Sequence, residues 1–342
     1  MQFRDLRPET RLRADFRPQP DVKEMGHENL GDALPYRVSA EEMPSPTPLA
    51  DYFAANEPSL RAALYKHGAI LFRGFDIVDG AAFGAAATGM AGPLLDYRGG
   101  VARRRQLGHG VYNSTEMPAD RTLAAHNEKS YSASHPDLVL FCSVTVAATG
   151  GATPLADGRR VWQRLSTRLK EALRTRRITY IQNLHGGVGA GKSWMAAYET
   201  EDRAEVEALL TSIGARFRWK PDGSLHVEET VSPIKVHPVT GAEALFCPAD
   251  TWYRSTSDFG SGRTGADRGA EEFPQYCRFE DGEEIEPWMV DEIRSAILAE
   301  LREFAWRRGD VLLVDNRIAL HGRASFTGER LVLVAIAMDE PR

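Results

Sequence analysis

The sequence has no long hydrophobic run and no excess of basic charge, and each absence excludes a class of protein. No apolar stretch approaches the ~18 residues that a membrane-spanning helix needs. The 42 Lys and Arg residues are outnumbered by 48 Asp and Glu, so the net charge of −6 offers no basic surface to nucleic acid. The N-terminal segment "MQFRDLRPETRLRADF" is polar and lacks the apolar core of a signal peptide. We therefore expect neither a membrane nor a nucleic-acid partner.

Cysteine is also scarce, with only Cys142, Cys247 and Cys277 in 342 residues. An odd number of distant cysteines forms neither a disulfide framework nor a Cys-based zinc site. Free thiols are typical of a reducing compartment, so the protein is predicted to be cytoplasmic. Arginines cluster at 103–105 and 174–177, and because both runs are short we interpret them as solvated faces.

The order of apolar and polar segments predicts one large domain behind a polar arm. Residues 1–47 are rich in proline and charge and are predicted to form an extended N-terminal arm, whereas residues 48–342 are predicted to form a single domain. Helices are predicted at 59–68, 158–175, 202–214 and within 286–310, and strands at 69–75, 136–147, 177–183, 224–238, 243–249, 310–323 and 330–339. Strict alternation of strand and helix is absent, so the pattern favours a mainly β protein with added helices, built as an antiparallel barrel or sandwich.

A phosphate-loop motif stands in the middle of the chain. The stretch "NLHGGVGAGKSW" (183–194) matches the pattern G-x-x-x-x-G-K-S/T at 186–193, and "VLLVD" further on ends in Asp315, as a magnesium-holding strand does. A phosphate loop needs a buried parallel strand that leads into a helix N-terminus, but the preceding "TYIQNLH" is half polar. We therefore interpret 186–193 as a glycine loop leading into a helix near Trp194, and keep a nucleotide hydrolase as the alternative.

Nine histidines make a metal site worth searching for. Two His and one carboxylate bind iron(II) on one face and leave the other positions open. On a strand, residues i and i+2 point to the same side, so His-x-Asp/Glu supplies two such ligands at once. Three pairs have this spacing: His126 with Glu128, His135 with Asp137, and His226 with Glu228. Pro136 disfavours the second pair and the third lies in a charged run typical of an exposed edge strand, so the first is preferred.

The third ligand and an anion-binding residue are expected near the C-terminus. In "VDNRIALHGRASFTGERLVLVAIA", His321 lies at the end of one apolar strand and Arg330 at the start of the next. A buried arginine is costly unless an anion pairs with it. A dicarboxylate cosubstrate would supply that anion to the planar fork of the guanidinium.

With these residues the sequence resembles the iron(II)/2-oxoglutarate oxygenases. The resemblance is to the taurine dioxygenase and clavaminate synthase-like branch, which includes amino-acid β-hydroxylases of peptide-antibiotic pathways. It extends from "HGAILFRGF" (67–75) to the C-terminus. The blocks that carry it are "VYNSTEMPADRTLAAHNEKSY" (111–131), "GGATPLADGR" (150–159), "VHPVTG" (236–241), "RRGDVLLVDN" (307–316) and "HGRASFTGER" (321–330).

The resemblance implies a fold and a set of roles. The fold is a double-stranded β-helix, a cupin-like jelly roll, with helices packed outside. His126, Glu128 and His321 match the iron ligands. Arg330 matches the arginine that binds a carboxylate of 2-oxoglutarate, and Thr153 in "GGATP" matches a threonine that hydrogen-bonds this cosubstrate.

The resemblance also implies a reaction. Fe(II), 2-oxoglutarate and O2 together oxidise an unactivated C–H bond, most often by hydroxylation, and release succinate and CO2. The implied substrate is a small amino-acid-like molecule of secondary metabolism, such as antibiotic biosynthesis, either free or tethered to a carrier protein. Asn113, Glu116 and Tyr131 lie near the ligand pair in sequence and are candidates for lining the substrate pocket, where Glu116 would pair with a substrate ammonium.

Overall fold

The computed structural model describes residues 34–42, 47–100, 104–253 and 273–339. Most of the arm predicted at 1–47 therefore lies outside the described residues. The described residues belong to one compact unit, Asp32–Arg342. Among them, no helix is both long enough and apolar enough to cross a bilayer.

Helices and short strands alternate irregularly along the chain. The helices are α1 (Leu49–His67), α2 (Gly80–Ala91), α3 (Gly158–Arg164), α4 (Thr167–Thr175), α5 (Trp194–Tyr198), α6 (Arg203–Ser212), α7 (Ala249–Trp252) and α8 (Pro287–Glu300). The strands are β1 (Tyr36–Ser39), β2 (Ala69–Arg73), β3 (Gln106–Gly108), β4 (Val111–Asn113), β5 (Leu123–His126), β6 (Leu138–Thr145), β7 (Thr149–Gly150), β8 (Leu155–Asp157), β9 (Ile178–Leu184), β10 (Arg216–Trp219), β11 (Leu225–Val231), β12 (Ile234–Val236), β13 (Glu243–Leu245), β14 (Gln275–Phe279), β15 (Val311–Asp315), β16 (Ala319–Arg323), β17 (Phe326–Thr327) and β18 (Leu331–Ala337).

The largest sheet has seven strands in the order β1-β2-β15-β6-β18-β4-β3. Only β1 and β2 run parallel, and the other neighbours are antiparallel. Helices α1 and α2 pack on one face of this sheet through Phe53, Leu64 and Phe83. As predicted, α1 ends at Gly68, whose φ of 81° closes the helix in the left-handed conformation that glycine adopts at little cost. This sheet is the structural base on which the candidate site is built.

A three-stranded sheet, β5-β16-β8, packs against the opposite face of the large sheet. Leu155 of β8 and Ala319 of β16 share a buried cluster with Phe141 of β6 and Val334 of β18. Both pairings of β16, with β5 and with β8, are antiparallel. Two sheets therefore face each other, as in a β-sandwich, and residues from widely separated parts of the chain meet between them.

A separate four-stranded antiparallel sheet, β10-β11-β9-β14, carries the helical decoration. Helices α3, α4 and α8 bury one of its faces, and α5 and α6 share a second cluster with β9 and β11. Strand β11 pairs with β10 on one side and β9 on the other. The prediction that this charged run forms an exposed edge strand is therefore wrong.

Most predicted elements are present, with different boundaries. The helix predicted at 158–175 is divided in two, because Ser166 leaves the helical conformation and its Oγ accepts a hydrogen bond from Leu169 N at 3.2 Å. Helix α2, made almost wholly of small residues, was not predicted, and it begins where the carboxylate of Asp79 accepts from Ala82 N at 2.8 Å. The structure is mixed α/β with several antiparallel sheets, in agreement with the coarse prediction of antiparallel strands with helices between them.

Candidate active site

The pairing of β5 with β16 brings two histidines together. His126 is the last residue of β5, and His321 lies in the middle of β16 directly opposite it. Their ring centroids are 4.8 Å apart. Antiparallel neighbours on the same face are close enough for their side chains to bind one ion, so the sheet itself aligns these two nitrogen donors.

Glu128 reaches the same place by a turn. The strand ends at His126, and Lys129 has a φ of 53°, so the chain reverses over 127–132 and does not continue as a strand. The ligand atoms of His126, Glu128 and His321 all lie within 4.8 Å of one another. Among the described residues this is the only group of three or more His, Cys, Asp or Glu side chains arranged to hold a metal ion. The i, i+2 strand geometry used to select the pair is therefore not how the pair converges.

Asn316 fixes the backbone of the carboxylate residue. Its Oδ1 accepts from Glu128 N at 2.6 Å, and its Nδ2 donates to Glu128 O at 2.9 Å and to Pro136 O at 2.8 Å. A further hydrogen bond links the two segments, since Asn127 Nδ2 donates to Asn316 O at 2.6 Å. These buried bonds tie the turn after β5 to the end of β15, and so they set where the carboxylate points.

Two side chains hold the Glu128 carboxylate itself. The Tyr97 hydroxyl donates to Oε1 at 3.2 Å, and Arg104 Nη2 donates to Oε2 at 2.5 Å. The Arg104 guanidinium also lies 4.1 Å from the centroid of the Tyr97 ring. Burial alone raises the pKa of Glu128, but the charge of Arg104, and then those of the two histidines, outweigh burial and lower the pKa to about 2. The carboxylate is therefore charged at every pH at which an enzyme works.

Both histidines are prepared to donate a lone pair. His126 Nδ1 lies 2.9 Å from Ala124 O, and because a carbonyl only accepts, Nδ1 carries the proton and Nε2 is left free. His321 Nδ1 is buried without a hydrogen-bond partner among the described residues, so this ring fits the role of a metal ligand. Burial, with the nearby His126, lowers the pKa of His321 to about 3, which keeps the ring neutral. Two imidazoles and one carboxylate are the donor set of a non-haem iron(II) site.

The other two His-x-Asp/Glu pairs do not join this group. His135 Nε2 lies 2.6 Å from Lys235 Nζ, and burial together with that ammonium lowers the pKa of His135 to about 4. His226 contacts Asn183 Oδ1 at 2.8 Å and Glu228 Oε1 at 3.2 Å. Both histidines are thus engaged in polar contacts away from His321.

The two residues expected to bind a cosubstrate lie on neighbouring segments. Arg330 directly precedes β18, and its Nε donates to Gly151 O at 2.9 Å. Thr153, two residues after Gly151, is buried, and its Oγ1 accepts a hydrogen bond from Trp306 Nε1 at 3.1 Å. Burial, followed by the charge of Arg323, lowers the pKa of Arg330 to about 10, so the guanidinium remains charged at neutral pH. A Cβ at Gly151 would approach the Arg330 side chain to 3.1 Å, so the close contact depends on glycine.

The three candidate substrate residues are placed differently from one another. Tyr131 is buried, its ring is tilted against that of Trp252 with centroids 4.6 Å apart, and it lies close enough to Arg104 to affect the pKa of that guanidinium. Asn113 belongs to β4, where its Oδ1 accepts from the Arg105 backbone. Glu116 lies in an exposed loop after β4. Of the three, Tyr131 is the one that approaches the His126–Glu128–His321 group.

Sequence reasoning missed Tyr97, Arg104 and Asn316. The interpretation of 103–105 as a solvated face is wrong for Arg104, whose side chain is only 5% exposed. A signal for Asn316 was present, since "VLLVDN" puts two polar residues at the end of a buried strand. That signal was considered only as part of the phosphate-loop alternative, with Asp315 as a magnesium ligand. The Asp315 carboxylate is instead paired with His237 at 2.9 Å and Arg317 at 2.8 Å.

The glycine loop at 186–193 differs from a phosphate loop in its surroundings. The strand that precedes it, β9, is antiparallel to both of its neighbours, and the helix that follows, α5, has five residues. The loop closes on itself through His185 N to Lys192 O at 3.3 Å. The Lys192 ammonium donates to Gly100 O at 3.0 Å. The expected helix near Trp194 is present, but neither a parallel strand nor a long helix presents the loop to a phosphate.

Comparison with known proteins identifies the family. Residues 31–336 match the family described as Taurine catabolism dioxygenase TauD, TfdA family, and the chain belongs to it. The chain is thus an iron(II)- and 2-oxoglutarate-dependent dioxygenase, and these two cofactors are consistent with the His-Glu-His group. The resemblance inferred from the sequence, the enzyme class and the cofactors are confirmed.

Individual relatives agree with this membership. Dapdiamide synthesis protein DdaC of Enterobacter agglomerans is 32% identical over 287 residues, which cover 84% of this chain and 86% of that protein. A clavaminate synthase-like protein of Arabidopsis thaliana is 25% identical over 284 residues, covering 81% and 83%. The crystal structure of AAD-2 in complex with Mn(II) and N-oxalylglycine superimposes with a TM-score of 0.53 at 14% identity, over 87% of this chain and 92% of that one. At that identity the last similarity shows the fold alone.

Proposed function

We propose that His126, Glu128 and His321 bind iron(II), that Arg330 and Thr153 bind 2-oxoglutarate, and that the enzyme hydroxylates an unactivated C–H bond of a small amino-acid-like substrate. The observation that carries the proposal is the convergence of the three ligand atoms within 4.8 Å of one another. We also propose that the facing seven- and three-stranded sheets form the double-stranded β-helix of the family, a jelly roll. Support for this comes from the packing of β16 and β8 on β6 and β18.

The metal half of the site depends on two oriented histidine rings and a fixed carboxylate. Ala124 O holds the His126 ring with Nε2 free, and burial keeps His321 neutral. Asn316 holds the Glu128 backbone and Tyr97 its carboxylate, so the ligand does not have to be oriented when the ion binds. Iron(II) with 2-oxoglutarate supplies, from O2, an oxidant strong enough for unactivated C–H bonds, with succinate and CO2 as coproducts.

The cosubstrate half depends on Arg330. Its Nε is used by Gly151 O, and among the described residues no hydrogen bond reaches its two Nη atoms. These atoms offer a charged fork to the distal carboxylate of 2-oxoglutarate. Thr153, fixed by Trp306, would add a hydroxyl hydrogen bond from the adjacent segment.

The substrate class rests on the relatives and on the pocket candidates. The name of DdaC assigns that protein to dapdiamide synthesis, which supports a role in secondary metabolism, such as antibiotic biosynthesis. Tyr131, Asn113 and Glu116 are proposed to line the substrate pocket, and the substrate is either free or tethered to a carrier protein. The proposal includes no nucleic-acid or membrane partner and a cytoplasmic location, the latter supported by the three buried free cysteines.

Anaerobic titration tests the proposal directly. We expect iron(II) and then 2-oxoglutarate to bind with one equivalent each and to produce the visible charge-transfer absorption of a chelated 2-oxo acid. An amino-acid screen for succinate release, with labelled O2 and mass spectrometry of the product, then identifies the reaction. Absence of the absorption in the wild-type protein would refute the proposed site. Micromolar binding of Mg-ATP would instead support the nucleotide hydrolase.

A further inference from the structure

Arg104 is buried beside the proposed metal site with most of its hydrogen-bonding capacity unused. Its side chain is 5% exposed, and within the part of the chain that the structure describes only Nη2 has a partner, the Oε2 atom of Glu128. Nε and Nη1 are buried without any hydrogen-bond acceptor among the described residues. A buried guanidinium with unpaired N–H groups is unfavourable by a few kcal/mol, so such an arrangement is rare unless a further group binds there.

The Glu128 carboxylate, which accepts the hydrogen bond from Arg104, is also a proposed ligand of the metal. On the proposed function, Glu128 gives electron density to iron(II), and this reduces what it offers to Arg104. The ring of Tyr97, 4.1 Å away, holds the guanidinium in place but provides no hydrogen-bond acceptor in its plane. Binding of the metal therefore leaves Arg104 fixed, charged and short of an anion.

The formal charges of the loaded site lead to the same conclusion. Iron(II), Glu128, the dianion of 2-oxoglutarate, Arg330 and Arg104 together leave one positive charge, and the buried Arg323 near Arg330 adds another. The two carboxylates of 2-oxoglutarate are already assigned, one to the metal and one to Arg330. A further anionic group beside Arg104 would reduce this excess of positive charge.

We propose that the unpartnered N–H groups of Arg104 bind a carboxylate of the substrate. Since Arg104 contacts the metal ligand Glu128, a substrate held there would lie next to the metal, and Tyr131 lies near the same guanidinium. The substrate class is thereby narrowed to molecules with a free carboxylate close to the C–H bond that is oxidised. This inference rests on the proposed function, because it assumes that 2-oxoglutarate occupies Arg330.

The test uses the full-length protein loaded with Zn(II), which does not turn over, and with saturating 2-oxoglutarate. Acetate and acetamide are the probes, and their binding is measured by saturation-transfer NMR. We expect acetate to bind the wild-type protein and acetamide not to bind. Arg104→Gln is expected to weaken acetate binding by about ten-fold or more, the usual effect of losing a charge-assisted hydrogen bond. Arg104→Lys keeps the charge but loses the planar fork of the guanidinium, so its affinity for acetate is expected to lie between those of wild type and Arg104→Gln.

Tyr97→Phe is the matched control, because it removes the other hydrogen bond to the Glu128 carboxylate and leaves Arg104 intact. It is expected to keep the wild-type affinity for acetate, so a loss in Arg104→Gln alone cannot come from disturbance of Glu128. Titration of each variant with Zn(II) and 2-oxoglutarate establishes saturation first. Equal acetate binding by wild type and Arg104→Gln would overturn the inference, as would equal binding of acetamide. Failure of wild type to bind 2-oxoglutarate overturns the proposed function as well, whereas normal 2-oxoglutarate binding without acetate binding overturns only this inference.

Discussion

The chain contains two His-x-Glu sequences whose structural settings are opposite. His126-Asn127-Glu128 lies where a strand ends and the backbone turns back at Lys129 with a positive φ. His226-Val227-Glu228 lies inside β11, a regular strand with neighbours on both sides. The first pair meets a third ligand, His321, while Glu228 meets Arg216 at 2.6 Å and Arg278 at 3.2 Å.

The difference shows that spacing alone does not make a metal site. On β11 the i, i+2 rule holds, and it brings His226 and Glu228 into contact with each other at 3.2 Å, where each satisfies the other. At 126–128 the rule fails, and the turn leaves both donor groups directed at a third residue. The two residues at 126–128 do not pair with each other, so the His126 ring stays available for a metal, while Arg104 and Tyr97 hold the Glu128 carboxylate.

The largest expected effect is a loss of iron(II) affinity on substitution in the His126–Glu128 pair but not in the His226–Glu228 pair. His126→Ala or His321→Ala removes one of three ligands, and iron(II) affinity and turnover are expected to fall by more than the 10–100-fold that loss of an outer partner causes. His226→Ala, the matched control, is expected to bind iron(II) like wild type. Isothermal titration with Mn(II) or anaerobic Fe(II) measures both. Loss of metal binding in His226→Ala alone would reverse the assignment.

Arg330 tests the 2-oxoglutarate-binding half of the site, which has no counterpart at His226 and Glu228. Arg330→Ala is expected to raise the Michaelis constant for 2-oxoglutarate by about 100-fold, and Arg330→Lys by about 10-fold, because the ammonium keeps the charge and loses the fork. Metal affinity without cosubstrate is expected to be unchanged in both. An unaltered Michaelis constant in Arg330→Ala would remove this residue from the site.

The two asparagines that support the pairs provide a finer comparison. Asn316 holds the backbone of Glu128, whereas Asn183 holds the ring of His226. Asn316→Ala is expected to weaken metal binding by about 10-fold, as for other residues that orient a ligand. Asn183→Ala is expected to leave metal binding as it is. Similar metal affinities for the two variants would show that the turn after β5 holds Glu128 without help.

The low pKa of His321 predicts how the metal-free protein responds to acid. Its pKa is lowered from 6.5 to about 3, so between these pH values the unfolded chain binds a proton at His321 and the folded protein does not. Its contribution to stability is therefore complete above about pH 6.5 and is lost as the pH falls towards 3, by at most ~1.4 kcal/mol per pH unit. Denaturant titrations between pH 7 and 5 measure this slope. His321→Asn is expected to flatten it, and an identical slope in the variant would contradict the burial of a neutral ring.

The smallest effect is expected in the glycine loop. Lys192 donates to the backbone carbonyl of Gly100, so Lys192→Ala is expected to leave 2-oxoglutarate affinity unchanged. Mg-ATP is expected not to bind wild type. Micromolar binding of Mg-ATP that is lost in Lys192→Ala would contradict this prediction.

Sequence reasoning succeeded where short-range rules apply and failed where distant segments decide. The strand at 136–147 could be predicted because a continuous apolar run is buried on both faces. The single strand predicted at 310–323 is wrong, because the chain turns after Asp315 and forms two strands, β15 and β16, in different sheets. The role of Arg104 could not, because an arginine in a run of three is usually solvated, and only the fold places it against Glu128 and Tyr97. The choice of His126 over His226 rested on the resemblance and on the interpretation of the charged run around His226 as an exposed edge strand, which is wrong. The strand geometry used to justify the choice applies to the rejected pair.

The link between Glu128 and Asn316 joins residues 188 positions apart in the chain. During synthesis, a chain that has not yet emerged beyond β16 contains His126 and Glu128 but nothing that brings them together with a third ligand. Contacts of such large sequence separation form late and slowly, because a long loop must close before any of them is gained. On the proposed assignment of the ligands, a chain that ends before His321 holds only His126 and Glu128, so the complete ligand set forms only after β16 has paired with β5.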